Sequence, residues 1–260
     1  MESPVFLQYH KVTRGIEIGG TWVHPAIFKR HVEFLRKRRV PSLTREDLRE
    51  GIPEKRAVLF TFDDAYSCVY KNAFPALKEA GYVGAVFVIT SFIGKTNSWD
   101  LNFGFSFKHL NAQELRELSK EGWIIGSHSH THRDLTRLSE DELLEELIRS
   151  KEILEDTLGE EVFAIAYPYG RYSLNVIKAA QRAGYKLGFG THKGMVYKGY
   201  ENLTIHRRGV YAIDISIRAK VEHIPVLSGI EIGKEYLISR VSDLSPVVKK
   251  LLSSLQGRRT

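Results

Sequence analysis

Two acids and three histidines in this chain are spaced as a metal-assisted hydrolase would need them. Asp63 and Asp64 directly follow the apolar run 57–62, Ala-Val-Leu-Phe-Thr-Phe. A second strand-like run, 123–127, ends in His128-Ser129-His130-Thr131-His132. One carboxylate and two neutral imidazoles can bind a divalent cation, which leaves the other carboxylate free to move protons. That is the minimum set for activating water on a metal.

Blander readings compete. An acid pair at this point could simply cap the helix that starts near residue 66. A lone histidine is usually structural, but three in five residues is unusual in a chain with 10 histidines among 260 residues. On an extended chain His128, His130 and His132 would share a face, whereas a turn would pair His128 with His132. The strand ends here and polar residues take over, so the spacing favours a turn and a metal on Asp64, His128 and His132. His130 is the alternative third ligand. Successive strand-end residues point in different directions, so Asp63 can face the bound water while Asp64 faces the ion.

Three other groups join them. Tyr167-Pro168-Tyr169-Gly170 follows a strand-like run. It reads either as a plain Pro/Gly turn or as a groove wall with aromatic faces for a sugar and a backbone N–H for an oxyanion. His10 follows the short run 5–9 and is a general-acid candidate if it reaches the same rim. His206-Arg207-Arg208 is either a solvated basic turn or the source of an arginine that orients an aspartate.

The elements that must position these residues alternate. Strands are expected at 5–9, 57–62, 84–89, 123–127, 162–166 and 185–189. Helices are expected from Pro25, over 66–80 with Gly81 behind it, from Asn111 to Gly122, from Ser139 to about 157 with Gly159 behind it, and from Ser173 to Gly184. Residues 90–108 read as a long aromatic loop containing Trp99. Ser245-Pro246 reads as the start of a last helix. Repeated β-α units mean a parallel sheet, open or closed into a barrel, and the polar residues all fall just after strands, where α/β barrels keep their active sites.

Composition narrows the class. The 260 residues, 43% hydrophobic, suit one domain, taken as 1–260. The net charge of +7 is scattered among acids and forms no basic stripe with aromatics, which excludes nucleic acid as the expected partner. Cys68 is the sole cysteine and reads as a small buried helix residue, so no internal disulfide is expected. No apolar stretch is long enough to span a membrane. The opening residues show no signal peptide, so the expectation is a cytoplasmic protein, or an extracellular or cell-envelope one if an export segment was removed.

With these residues on the page, the chain resembles the polysaccharide deacetylases of the NodB-homology type, carbohydrate esterase family four. Thr61-Phe62-Asp63-Asp64 is similar to that family's first motif, whose first Asp is the base and second a metal ligand. His128-Ser129-His130-Thr131-His132 resembles its second, His-Ser/Thr-x-x-His, with the outer histidines on the metal. Ala166-Tyr167-Pro168-Tyr169-Gly170 resembles its third. The similarity covers roughly 57–190. Two features depart from the pattern: Ala166 stands where the family has an arginine that holds the catalytic Asp, and the C-terminal Leu-x-His motif is missing. Together with Leu7-Gln8-Tyr9-His10, these departures resemble the branch that deacetylates biofilm poly-N-acetylglucosamine, in which the acid histidine comes from the N-terminal strand.

The resemblance implies a distorted parallel (β/α) barrel with about seven strands. It implies metal-dependent removal of acetyl groups from N-acetylated sugars, with Zn²⁺ first and Co²⁺ or Ni²⁺ as alternatives. The implied roles are Asp63 as base, His10 as acid, the Tyr169 N–H as oxyanion donor, and Arg207 or Arg208 as orienter of Asp63. Tyr167, Pro168, Tyr169 and Trp99 would contact the carbohydrate. The competing expectations are a non-catalytic carbohydrate-binding relative and a hydrolase of another amide on the same barrel.

Overall fold

A computed structural model describes residues 3–15, 20–96, 107–191 and 196–222. Trp99 and the helix expected at Ser245-Pro246 lie outside the described residues. The elements run β1 (Val5–Tyr9), β2 (Lys11–Val12), β3 (Trp22–Val23), α1 (Pro25–Lys37), α2 (Arg45–Arg49), β4 (Val58–Phe62), α3 (Phe74–Glu79), β5 (Gly84–Val88) and α4 (Ala112–Lys120). They continue with β6 (Ile124–Ser127), α5 (Glu140–Leu158), β7 (Ala164–Ala166), α6 (Leu174–Arg182), β8 (Leu187–Gly190), β9 (Ile205–His206), β10 (Arg208–Gly209) and α7 (Arg218–Val221).

Eight of these strands form one all-parallel sheet in the order β10-β1-β4-β5-β6-β7-β8-β9. Its two outer members, β9 and β10, are consecutive pieces of one short segment. β9 pairs with β8 through Phe189 and Ile205, and β10 pairs with β1 through Leu7 and Arg208. A single stretch, 205–209, thus closes the barrel, with Arg207 at the break. Taken as one bent stave it makes the seventh strand, which is why pairing counts eight against the seven or so expected.

The alternation of strand side chains creates two cores. Val5, Leu7 and Tyr9 of β1 and Val58, Phe60 and Phe62 of β4 face outward, packing with Phe28, Val32 and Leu35 of α1 and Leu77 of α3. Phe6, Leu59, Ala85, Phe87, Ile124, Ala164, Leu187, Phe189 and Ile205 face inward and fill the lumen. The inward parity then runs on, towards the C-terminal ends, into Gln8, Thr61, Asp63, His128 and Arg207. A dry apolar plug below and a buried polar layer above follow from one period-2 pattern.

Helix ends sit where capping chemistry puts them. Asn111 and Ser139 cap α4 and α5, each closed by a reciprocal glutamate three residues on. Gly159 ends α5 in the left-handed conformation, φ 73°. The helix expected over 66–80 is interrupted: Val69–Ala73 is a π-helical turn and α3 begins at Phe74. Pro75 cannot donate to a carbonyl one turn back, so the ladder widens there.

Candidate metal centre

The C-terminal ends of β1, β4, β6 and β7 meet at one rim. They carry His10, Asp63-Asp64, the histidine loop and Pro168-Tyr169. Parallel pairing sets their height: the Asp63 N–H donates to the Tyr9 carbonyl, and the His128 N–H donates to the Val88 carbonyl, at 2.9 and 2.8 Å.

Asp64, His128 and His132 are buried together, and their ligand atoms lie within 4.8 Å of one another. His128 Nε2 is 3.6 Å and His132 Nε2 3.7 Å from Asp64 Oδ1. Two ligands at tetrahedral angles on a zinc ion stand roughly 3.4 Å apart, so these three fit such an ion with little movement. His128 Nδ1–H donates to the Ala166 carbonyl at 2.7 Å, which fixes the tautomer and leaves Nε2 as the ligand atom. Burial lowers the pKa of His128. Burial, with His128 beside it, lowers that of His132 well below its usual value. Both rings are therefore neutral at physiological pH and able to bind metal.

The loop that carries them is a turn, not an extended strand. Ser129 and His132 have φ of 64° and 61°, and Asp64, Ala65 and Tyr169 are also left-handed, at 67°, 55° and 59°. Non-glycine residues adopt this region at a cost, and such strain gathers at functional sites. The turn aims His130 away from the other ligands, so its Nδ1 meets Thr90 Oγ1 at 2.8 Å. The alternative ligand set with His130 is not the one assembled here.

Asp63 is held separately from the three candidate ligands. Its Oδ1 accepts from Arg207 Nη1 at 2.6 Å, and Oδ2 accepts from Arg207 Nη2 at 2.8 Å and Gln8 Nε2 at 2.6 Å. Arg207 Nη1 also donates to Thr61 Oγ1 at 3.2 Å, and the guanidinium lies 5.3 Å from the Phe87 ring centroid. Gly126 leaves room for that ring, since a Cβ there would come within 2.6 Å of it. Burial alone would raise the Asp63 pKa, but Arg207 and the neighbouring histidines bring it well below the usual carboxylate range. Asp63 is a carboxylate, in a bidentate fork.

Three sequence expectations need correction. Arg208 does not reach Asp63: it points outward by strand parity and donates to the Lys220 carbonyl. Tyr167 offers no face to a sugar, because it is wholly buried and its hydroxyl donates to the Leu203 carbonyl. Pro168, expected to contact the carbohydrate, is buried as well. Tyr169 is half-buried and its ring lies 4.8 Å from that of His132. His10 is on the rim, with Nδ1 buried and, among the described residues, without a hydrogen-bond partner. Burial lowers its pKa to about 4.

Two residues escaped the sequence reading. Gln8 lies on the Phe6-x-Gln8-x-His10 alternation, which was the available signal. His109 donates from Nδ1 to the Asp64 carbonyl at 2.6 Å, fixing the backbone of a candidate ligand; its loop position carries no periodic signal.

The sequence profile of the polysaccharide deacetylase family matches residues 50–188, just over half of the chain. The chain belongs to that family. Members are hydrolases of carbon–nitrogen bonds other than peptide bonds. The deacetylase is 29% identical over 231 residues to the poly-beta-1,6-N-acetyl-D-glucosamine N-deacetylase of Staphylococcus epidermidis, covering 79% of this chain and 78% of that one. It superposes on the Streptococcus pyogenes deacetylase PplD, solved with acetate, with a TM-score of 0.68 at 25% identity, over 81% of this chain and 93% of that one. IcaB from Ammonifex degensii shares the fold, with a TM-score of 0.67 at 23% identity, over 83% and 94% of the two chains. Among the described residues of the deacetylase no helix is long and apolar enough to cross a membrane.

Proposed function

We propose that the deacetylase hydrolyses the acetamide of N-acetylglucosamine units in a polysaccharide or oligosaccharide, releasing acetate and a free amine, and that residues 1–260 form one catalytic domain. The observation that carries this reading is the pairing of two separate devices on one rim: a donor triad for a divalent ion, and a clamped carboxylate beside it. A carbohydrate binder needs neither. The arginine that the third motif lacks at Ala166 is supplied by Arg207, which removes the main reason to regard the chain as inactive.

Asp64, His128 and His132 would hold the ion. Zn²⁺ is the proposed metal because a carboxylate with two imidazoles is among its usual ligand sets; Co²⁺ and Ni²⁺ accept the same donors. When bound, such an ion polarises a carbonyl oxygen and lowers the pKa of its water from 15.7 towards about 7.

The protein's own groups do the rest. Asp63 takes the proton of the attacking water, and Arg207 and Gln8 hold its carboxylate at a fixed angle. The Tyr169 N–H is the proposed second donor to the developing oxyanion, a role supported by its place against His132. An amide nitrogen leaves poorly unless protonated, and His10 is the proposed donor. Its lowered pKa makes the imidazolium a strong acid towards that nitrogen, at the cost of a small protonated population at neutral pH. Tyr169 is the proposed contact for the sugar.

The test is acetate release from N-acetylglucosamine oligomers by zinc-loaded protein, with a chelator control and an Asp63→Asn variant. Release that both the chelator and the substitution abolish supports the mechanism. An Asp63→Asn protein that stays fully active rules it out.

A further inference from the structure

We propose that Glu146, on the second turn of α5, is a positioning residue that sets the affinity of the metal centre by holding the histidine loop in its strained shape. The inference rests on the reading of Asp64, His128 and His132 as the metal ligands.

The geometry is specific. Glu146 is 7% exposed, although a charged residue on a surface helix would ordinarily turn to solvent. Its Oε2 accepts from two successive backbone N–H groups, His130 at 2.9 Å and Thr131 at 2.8 Å. Its Oε1 accepts from the Thr131 hydroxyl. Successive N–H groups following a left-handed residue form a concave nest for an anion, and here the anion is a side chain from another element. The residues held are the two between Ser129 and His132, the left-handed members of the loop.

The hydrogen bonds made by the N–H groups of the two left-handed residues are neutral. The Ser129 N–H donates to Ser127 Oγ, and the His132 N–H donates to Ser129 Oγ, both at 3.0 Å. Ser127 Oγ in turn meets Ser150 Oγ at 2.7 Å, one helical turn beyond Glu146 on the same face of α5. The helix therefore grips the loop through Glu146 and, by way of Ser127, through Ser150, while its Glu142 accepts from Arg133 beside His132 at 2.9 Å; of these contacts, Glu146 is the buried charge that takes the loop's own backbone N–H groups. Left-handed conformations persist only where their surroundings over-determine them. Without Glu146 the loop would gain other conformations, and part of the binding energy of an ion would be consumed in restoring the one in which His128 and His132 converge on Asp64.

Loss of a group that orients metal ligands costs 10–100-fold in affinity, and Glu146→Ala should weaken zinc binding by that factor. Glu146→Gln keeps one carbonyl acceptor of the same reach and should fall between Ala and wild type, a partial rescue that charge loss or misfolding would not give. The control is Leu143→Ala, three residues earlier on α5, which removes buried core packing but no side-chain hydrogen bond.

The experiment is competition for Zn²⁺ between a chromophoric chelator and apo protein, for wild type, Glu146→Ala, Glu146→Gln, Leu143→Ala and His132→Ala. Thermal melts of the same apo proteins give the stability of each. The expected order of affinity is wild type and Leu143→Ala together, then Glu146→Gln, then Glu146→Ala, then His132→Ala. A Glu146→Ala affinity within twofold of wild type overturns the proposal. So does an equal loss in Leu143→Ala, because general destabilisation then accounts for the effect. A wild-type protein that binds no Zn²⁺, or a His132→Ala variant that binds as well as wild type, instead overturns the metal reading beneath it.

Discussion

Replacing Arg207 by methionine would remove the clamp on Asp63 while filling most of the space over Phe87, since methionine is unbranched and suits an aromatic neighbour. Asp63 is 2% exposed and Arg207 fully buried, so the substitution strands a carboxylate in the barrel with Gln8 as its one remaining side-chain donor among the described residues. Breaking a buried pair from one side costs about 3–5 kcal/mol, because the partner's charge is left uncompensated. For a domain of this size each kcal/mol lowers Tm by about 2–4 °C, so the variant should melt roughly 10 °C early. The deficit should shrink when the stranded charge is removed. Arg207→Met with Asp63→Asn is expected to be more stable than the two single losses imply, with a coupling of about 2–3 kcal/mol. Turnover should fall about 100-fold in Arg207→Met through displacement of the proposed base, with zinc still bound, since the hydrogen bonds of Arg207 go to Asp63 and Thr61. Circular-dichroism melts and urea titrations of the four proteins, with zinc occupancy measured alongside, make the assay. A single variant that melts within a degree or two of wild type, or additive losses across the cycle, would refute the clamp.

Three further outcomes follow from the same geometry. His31 accepts from the Tyr9 hydroxyl at Nδ1 and donates from Nε2 to the Asp214 carbonyl, at 3.1 and 2.9 Å, so its neutral ring is fully used. Burial lowers its pKa to about 4, with Asp214 opposing. The unfolded chain therefore binds more protons between pH 4 and 6.5, and stability is lost as pH falls through that window, by about 2 kcal/mol from pH 8 to pH 5. Urea midpoints should show this fall, and His31→Gln should remove that share of it. His130→Ala should keep zinc while His132→Ala loses it, measured as metal content after dialysis, because the His130 ring faces Thr90. Zinc at a thousandfold excess over Kd should stabilise the folded protein by about 4 kcal/mol, and chelator should reverse the rise in Tm.

Much of the site is legible in the sequence because the strands that carry it are strongly apolar. Runs 57–62 and 123–127 end abruptly in acids and histidines, and the change of composition marks the rim. The choice between Arg207 and Arg208 was harder, because their segment is split into two-residue strands too short to declare a period. Ile205-x-Arg207 repeats the inward alternation of Leu59-x-Thr61-x-Asp63. Tyr167 misleads for the same reason: it shares the outward parity of Ile165, so its ring packs beneath the helices and not at the groove. Glu146 gave no warning, since one buried carboxylate on a helix of alternating acids and leucines looks like any other. The π-helical turn was hidden because Pro75 falls inside an otherwise unbroken apolar pattern.

The bent stave 205–209 gives the chain an order of assembly. Every proposed metal ligand lies before residue 133, on staves that precede the closing one, whereas the guanidinium that clamps Asp63, the proposed base, arrives only when that last stave slots between β8 and β1. A nascent or nicked chain lacking it would carry a complete set of ion donors beside an untethered Asp63. Capture of the ion and competence for hydrolysis are thus separable along the polypeptide, and the second is withheld until the cylinder shuts.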